Sequence, residues 1–156
     1  MNIVVTTGTG EGPTSVAAFD AALLNAGVAN YNLIALSSII PPGSTIERAV
    51  FVTPPEEYGH RLYVVMARCD EHASGKAAWA GIGWTQEERS GRGLFVELHG
   101  SSKAGVQEAI DASLASMMES RRRAYGPIYS QLVGIQCRGR PVCALVIAVY
   151  CSEAWK

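Results

Sequence analysis

The sequence has 156 residues, of which 48% are hydrophobic and 17% charged, and its formal net charge is −1 at pH 7. This near-neutral charge makes nucleic acid and anionic membranes poor partners, and no apolar run reaches the roughly 18–20 residues that span a bilayer. The length predicts a single domain, residues 1–156, with a sizeable core. The low charged fraction indicates that some surface is buried in an oligomer.

The cysteines and the N-terminal segment indicate a cytoplasmic protein. Cys69, Cys137, Cys143 and Cys151 contain no C-x-x-C pair, and we expect them to be reduced thiols that pack as small apolar residues. Metal ligation is the weaker alternative, so no metal site is predicted. Residues 1–7 lack the basic region and the small-residue cleavage site of a secretory signal.

The first part of the chain predicts a strand, a turn and a helix. The strand is expected at Ile3–Thr6. Gly8–Pro13 predicts a structural turn, because it lacks both the Rossmann spacing and the Lys-Ser/Thr pair of a phosphate-binding loop. Thr14–Ala26 predicts an amphipathic helix that ends at Gly27.

Asp20 is unexpected in this helix. Val16, Phe19 and Leu23 define one helical face, and Asp20 falls within it. A carboxylate in an apolar stripe needs a partner. Asp20 is therefore either a buried structural residue bonded to backbone or to Asn25, or a group reserved for a cationic ligand.

The run Leu33–Ile40 predicts a buried strand, and Pro41–Pro42 ends it because proline has no backbone donor. Two neighbouring hydroxyls, those of Ser37 and Ser38, interrupt this apolar run. Each hydroxyl requires a hydrogen-bond partner when it is buried. One interpretation is that both bond to nearby backbone at the strand end.

The second interpretation of the serine pair is chemical. In a strained backbone the Ser38 Oγ can attack the carbonyl of Ser37 and convert the peptide bond into an ester. Elimination across Ser38 then releases the upstream chain, and hydrolysis of the resulting dehydroalanine leaves a pyruvoyl group. This hypothesis predicts self-cleavage between Ser37 and Ser38 into a 1–37 chain and a 38–156 chain.

The rest of the chain predicts six more strands and one long helix. The strands are expected at Ile46–Thr53, Leu62–Cys69, Ala77–Trp84, Leu94–Leu98, Ile128–Gln136 and Val142–Cys151, and the helix at Ser102–Tyr125. Because the two helices do not alternate regularly with the strands, the pattern predicts an α+β sandwich.

Glu97 interrupts the predicted strand Leu94–Leu98. The alternation of a strand places Phe95, Glu97 and His99 on one face. Glu97 either points to solvent from an edge position or is buried, where lost solvation disfavours its charged form and makes it a proton donor. His99, at the strand end, is interpreted as structural.

Four segments together resemble the pyruvoyl-dependent arginine decarboxylase family. They are Ala18–Gly27, Asn30–Leu33, Leu36–Pro42 with its Ser-Ser-Ile-Ile-Pro-Pro core, and Gly93–Gly100. The match in order and spacing covers most of the chain and favours self-cleavage. It implies a four-layer α/β/β/α sandwich with mostly antiparallel sheets, assembled as a trimer or a dimer of trimers with active sites between subunits.

The same resemblance implies roles for individual residues. Ser38 becomes the pyruvoyl cofactor, which forms a Schiff base with the substrate amine and accepts electrons as CO₂ leaves. Glu97 protonates the former α-carbon, and Asp20 helps to bind the substrate guanidinium. Asn32 helps to hold a carbonyl at the cleavage or active site, or else is a strand-start amide bonded to backbone.

The implied function is the conversion of L-arginine to agmatine and CO₂. Pyridoxal phosphate is not expected, because Lys76, Lys103 and Lys156 lie in a turn, at a helix start and at the chain end. Lys76 and Leu98 depart from the family pattern and leave the substrate range open. The alternatives are a pyruvoyl-dependent decarboxylase of another amino acid and an uncleaved, non-catalytic homologue that acts as an assembly partner.

Overall fold

The computed structural model describes residues 1–156 and contains nine strands and two α-helices. In chain order these are β1 (Asn2–Glu11), α1 (Ser15–Ala26), β2 (Asn32–Ala35), β3 (Ile39–Ile40), β4 (Thr45–Arg48), β5 (Arg61–Glu71), β6 (Ala77–Gln86), β7 (Gly93–Gly100), α2 (Lys103–Arg121), β8 (Tyr129–Gln136) and β9 (Val142–Glu153). A 3-10 turn at Pro55–Glu57 precedes β5. Neither helix combines the length and apolar character needed to cross a membrane.

The strands form two sheets that pack face to face. Sheet A has the order β2-β5-β9-β1-β4, and sheet B has the order β3-β7-β6-β8. All pairs are antiparallel except β1 with β4 and β2 with β5. Helix α1 covers the outer face of sheet A and α2 the outer face of sheet B. The predicted α/β/β/α sandwich with mostly antiparallel sheets is confirmed.

Hydrophobic residues fill each of the three spaces between these layers. The largest cluster lies between the sheets and includes Val5, Ile82 and Phe95. Strand β9 is buried on both faces, so Val142–Tyr150 is a continuous apolar run instead of an alternating one. Fully burying one such aliphatic or aromatic side chain contributes about 1.5–3 kcal/mol, and this burial drives the assembly of the layers.

Strand β1 is longer than its apolar residues predicted. The expected turn at Gly8–Pro13 is wrong over its first residues, because β1 continues through Gly8 to Glu11. A Cβ atom on Gly8 would lie 2.8 Å from the backbone nitrogen of Ala26 in α1. The glycines of β1 thus serve close packing of a helix on a strand, which is a recognised use of glycine inside strands.

The predicted helices are confirmed, with one boundary corrected. The hydroxyl of Thr14 caps α1 by accepting from the Ala17 amide at 3.1 Å, and Gly27 ends the helix with φ of +83°. Helix α2 ends at Arg121 instead of Tyr125, since Arg122 adopts φ of +50°.

Two strand predictions near the serine pair are wrong. The expected strand Ile46–Thr53 is ordered as β4 only over Thr45–Arg48. The expected single strand Leu33–Ile40 is two strands in different sheets, because β2 pairs with β5 in sheet A and β3 pairs with β7 in sheet B. The chain therefore crosses from one sheet to the other at the serine pair.

Candidate active site

The crossover between the sheets is short and held at both ends. On the sheet A side the Leu36 amide donates to the carbonyl of Val64 at 2.8 Å. On the sheet B side Ile39 pairs with Leu94. Ser37 and Ser38 are the two residues between these anchors, so the change of direction between the sheets falls on them.

Ser38 adopts an unusual backbone conformation. Its φ is +69°, in the left-handed region that residues with a side chain rarely occupy. Such a conformation costs on the order of 1–3 kcal/mol and persists only where surrounding contacts enforce it. Here the Phe95 amide donates to the Ser38 carbonyl at 2.9 Å, which holds the strained residue against β7.

The Ser38 hydroxyl donates a hydrogen bond to Oε1 of Glu97. The two residues are far apart in sequence, and β7 brings the carboxylate to the crossover. The predicted alternation of β7 is confirmed, because Phe95 packs between the sheets while Leu94 and Val96 pack under α2. Glu97 shares the face of Phe95 and is half-buried beside Ser38.

His99 and Ser37 also lie near the contact between Ser38 and Glu97, but both are more exposed than that pair. His99 lies on the same face of β7 but is exposed at the end of the strand. The side chain of Ser37 is also exposed. Of the two serines, Ser38 is thus the one whose hydroxyl meets a titratable partner.

Tyr150 is a residue of this site that the sequence analysis missed. Its hydroxyl donates to the carbonyl of Ile39 at 2.9 Å. Burial raises the pKa of Tyr150 above its ordinary value, and the nearby Glu97 carboxylate raises it further. A signal was available, since a tyrosine at the end of a buried run such as Val142–Tyr150 needs a partner for its hydroxyl.

Asn32 does not reach the serine pair in this chain. It begins β2, and its side-chain amide donates to the carbonyl of Gly59 at 2.8 Å. Its backbone amide donates to the carbonyl of His60 at 2.8 Å. This is the backbone-bonded arrangement of a strand-start amide, one of the two alternatives left open by the sequence.

The placement of Asp20 within a buried apolar stripe is wrong. The buried face of α1 consists of alanines, namely Ala18, Ala22 and Ala26. Asp20 is exposed and has no ion pair in the chain, and Val16 is 76% exposed. Small residues bring α1 close to the glycines of β1, and Phe19 and Leu23 pack at the edge of this contact while Val16 and Asp20 face outward.

The chain shows neither a buried lysine nor a metal-binding cluster of acidic, histidine and cysteine side chains. Lys76, Lys103 and Lys156 are all exposed. The four cysteines are free, and no group of three or more histidine, cysteine, aspartate or glutamate side chains is placed to hold a metal ion. The contact between Ser38 and Glu97 is therefore the arrangement on which we base the chemistry.

Comparison with known proteins places the chain in a family. The family model described as pyruvoyl-dependent arginine decarboxylase matches residues 2–154. A protein of that name from Halobacterium salinarum is 41% identical over 90 residues, which are 58% of this chain and 55% of the relative. Proteins of that name from Thermoplasma volcanium and Thermococcus kodakarensis are 31% and 28% identical, over 74% and 90% of this chain and 63% and 88% of their own lengths.

The match to the Halobacterium protein spans about half the length of that relative, whereas the family model covers nearly the whole of this chain. The crossover with its serine pair, the strand that carries Glu97 and both helices all lie within the matched residues. The chain belongs to the pyruvoyl-dependent arginine decarboxylase family.

Proposed function

We propose that this protein is a self-processing decarboxylase that converts L-arginine to agmatine and CO₂ with a pyruvoyl group made from Ser38. The observation that carries the proposal is the strained Ser38, whose hydroxyl contacts Glu97. The names of the curated relatives support arginine as the substrate.

Self-cleavage begins with attack of the Ser38 Oγ on the carbonyl carbon of Ser37. The peptide C–N bond breaks, an ester forms, and the hydroxyl proton passes to the freed amine. A hydroxyl that donates to Glu97 keeps its lone pairs available for this attack. Breaking the peptide bond also relieves the left-handed strain at Ser38, which favours the forward direction.

Elimination then completes the cut. Loss of the α-proton of Ser38 and cleavage of its Cβ–Oγ bond release the 1–37 chain with a new carboxylate. Water hydrolyses the remaining dehydroalanine, its nitrogen leaves as ammonia, and a ketone stays at the start of the 38–156 chain. The surroundings of Ser38 fit a pyruvoyl group made there, because the Phe95 amide already binds the Ser38 carbonyl, which that group would keep.

The pyruvoyl group supplies a ketone that takes up the substrate amine and an electron sink for the bond that releases CO₂. After CO₂ leaves, the former α-carbon needs a proton, and Glu97 is the titratable group in contact with the Ser38 side chain. We therefore assign Glu97 as the proton donor: the carboxylate would first accept a proton that the substrate ammonium group gives up and then deliver it to that carbon. The three exposed lysines offer no buried amine of the kind that holds pyridoxal phosphate.

Substrate binding is assigned to Asp20 through a second copy of the chain. Helix α1 covers the outer face of sheet A, and the Asp20 carboxylate is exposed and without an ion pair, so it is free to bind a guanidinium. A homotrimer, or a dimer of trimers, that joins α1 of one chain to the crossover of another would complete the site. Asn32 begins β2 and bonds to Gly59 in its own chain, so in this proposal it would hold a carbonyl only in the site completed by the second copy. We place the enzyme in the cytoplasm, where free cysteines stay reduced.

Mass spectrometry of the purified chain tests this proposal. We expect chains 1–37 and 38–156 from the wild type and from Ser37→Ala, and one uncut chain from Ser38→Ala, which lacks the attacking oxygen. Arginine added to the cut protein should yield equal amounts of agmatine and CO₂. A wild-type chain that stays whole would contradict self-processing and favour a non-catalytic assembly partner. Turnover of another amino acid in place of arginine would contradict the substrate assignment.

A further inference from the structure

Strand β9 contains a bulge at Tyr150. Tyr63 of β5 pairs with Cys151, and the next residue, Val64, pairs with Val149. Tyr150 is thus an extra residue with no partner of its own in β5, and the pairing of β9 with β1 has already ended at Val149. Bulges leave a residue unpaired, bend the strand locally and are common beside active sites.

The alternation of β9 directs the Tyr150 side chain into the space between the sheets, on the same face as Ala148. The residue is 8% exposed, and its ring meets the Phe95 ring edge to face with centroids 6.1 Å apart. From there its hydroxyl crosses from sheet A to the Ile39 carbonyl in sheet B. Phe95 itself donates through its backbone to Ser38, so one aromatic pair supports both residues that follow the cleavage point.

Cleavage after Ser37 removes one of the two anchors of the crossover. The new chain end is then held only by what binds Ser38 and β3. Strand β3 has two residues, lies at the edge of sheet B, and is followed by Pro41, which has no backbone donor. Because β3 is so short, the hydrogen bond to the Ile39 carbonyl is a large part of the contacts that hold Ser38 in place.

We infer that Tyr150 is a positioning residue, which binds the Ile39 carbonyl and thereby holds the group made from Ser38 against Glu97 once residues 1–37 are no longer attached. This inference rests on the proposed function. Tyr150 stays protonated and acts as a donor, in keeping with the burial that raises its pKa. It moves no proton to the substrate, a role that belongs to Glu97.

The variant Tyr150→Phe keeps the ring packed on Phe95 and removes only the hydroxyl. Tyr63→Phe is the matched control, because Tyr63 is half-buried against the same core and its hydroxyl donates to Glu153 at 2.8 Å instead of to the crossover. We expect both variants to be cut. In Tyr150→Phe, kcat per pyruvoyl group should fall about 10- to 100-fold with KM nearly unchanged, since a misplacement of about 1 Å costs up to roughly 100-fold.

Amide hydrogen exchange of the cut protein supplies a readout that does not depend on activity. The Phe95 amide donates to Ser38, so its exchange should be several-fold to about tenfold faster in Tyr150→Phe, and unchanged in Tyr63→Phe. Unchanged exchange at Phe95, or a kcat within about twofold of wild type, would overturn the inference. If the wild type makes no agmatine but the Phe95 amide still exchanges faster in Tyr150→Phe, the result would count against the decarboxylase assignment alone.

Discussion

Replacing Glu97 by glutamine separates proton donation from the structural contact made by the same side chain. The glutamine amide oxygen can still accept the hydrogen bond of Ser38. A hydrogen bond to a charged group contributes about 1.5–3 kcal/mol and a neutral one about 0.5–1.5 kcal/mol, so the precursor loses about 1 kcal/mol. This is small against the roughly 5–15 kcal/mol of a folded domain, and we expect Glu97→Gln to fold and to cut itself.

Turnover should respond much more strongly than folding. Loss of a positioned acid costs about 10²–10⁴-fold in rate, or roughly 3–5 kcal/mol in the barrier. The assay is agmatine formation per pyruvoyl group, with the pyruvoyl content counted by mass spectrometry. His99→Gln is the control, because His99 is exposed on the same face of β7. Wild-type turnover in Glu97→Gln would refute the assignment of Glu97 and direct attention to His99, and an uncut variant would show that Glu97 acts in the cleavage itself.

Two further predictions concern the substrate and the pH range. Asp20→Asn should raise KM for arginine roughly 10- to 100-fold without changing self-cleavage. The control is Asp111→Asn, at an exposed acid on α2, which should leave initial rates unchanged. An unaltered KM in Asp20→Asn would return Asp20 to a structural role. The Tyr31 hydroxyl donates to Glu57, which lowers the pKa of Glu57 below its ordinary 4.5, while burial and then this bond raise the pKa of Tyr31 above its ordinary 10.0. The folded state therefore gains stability from this pair above about pH 4.5 and below about pH 10, and loses it as the pH falls or rises beyond those values. Thermal unfolding of wild type and Tyr31→Phe against pH should show the wild-type advantage in that window, and an undiminished advantage at about pH 3 would contradict it.

Local patterns were sufficient for most of the elements. Helix α1 was predicted from its spacing and from Gly27, and these signals act within a few residues of one another, whereas its Thr14 cap was found only in the structure. Strand β7 was predicted with the correct faces, because alternation along a strand is a local property. The resemblance carried by the serine pair and its flanking segments added the order of layers, and the structure confirms that order.

The errors arose where packing partners decide the outcome. An apolar run cannot show that Leu33–Ile40 divides between two sheets, since strand pairing with β5 and β7 depends on residues far along the chain. The rotation of α1, which exposes Asp20, depends on how closely its alanines approach β1. The spacing of apolar residues along a helix does not reveal how closely α1 approaches β1.

The amino-acid sequence by itself determined which groups are available for chemistry: a serine pair before two prolines, and a glutamate inside an apolar strand. Only the tertiary structure decided which of them meet. It placed the Ser38 hydroxyl on Glu97, and by packing the two sheets face to face it placed the Tyr150 hydroxyl on the Ile39 carbonyl. The physical reason is that each contact joins residues from different layers or strands, so its geometry follows from sheet packing and register and not from any local pattern.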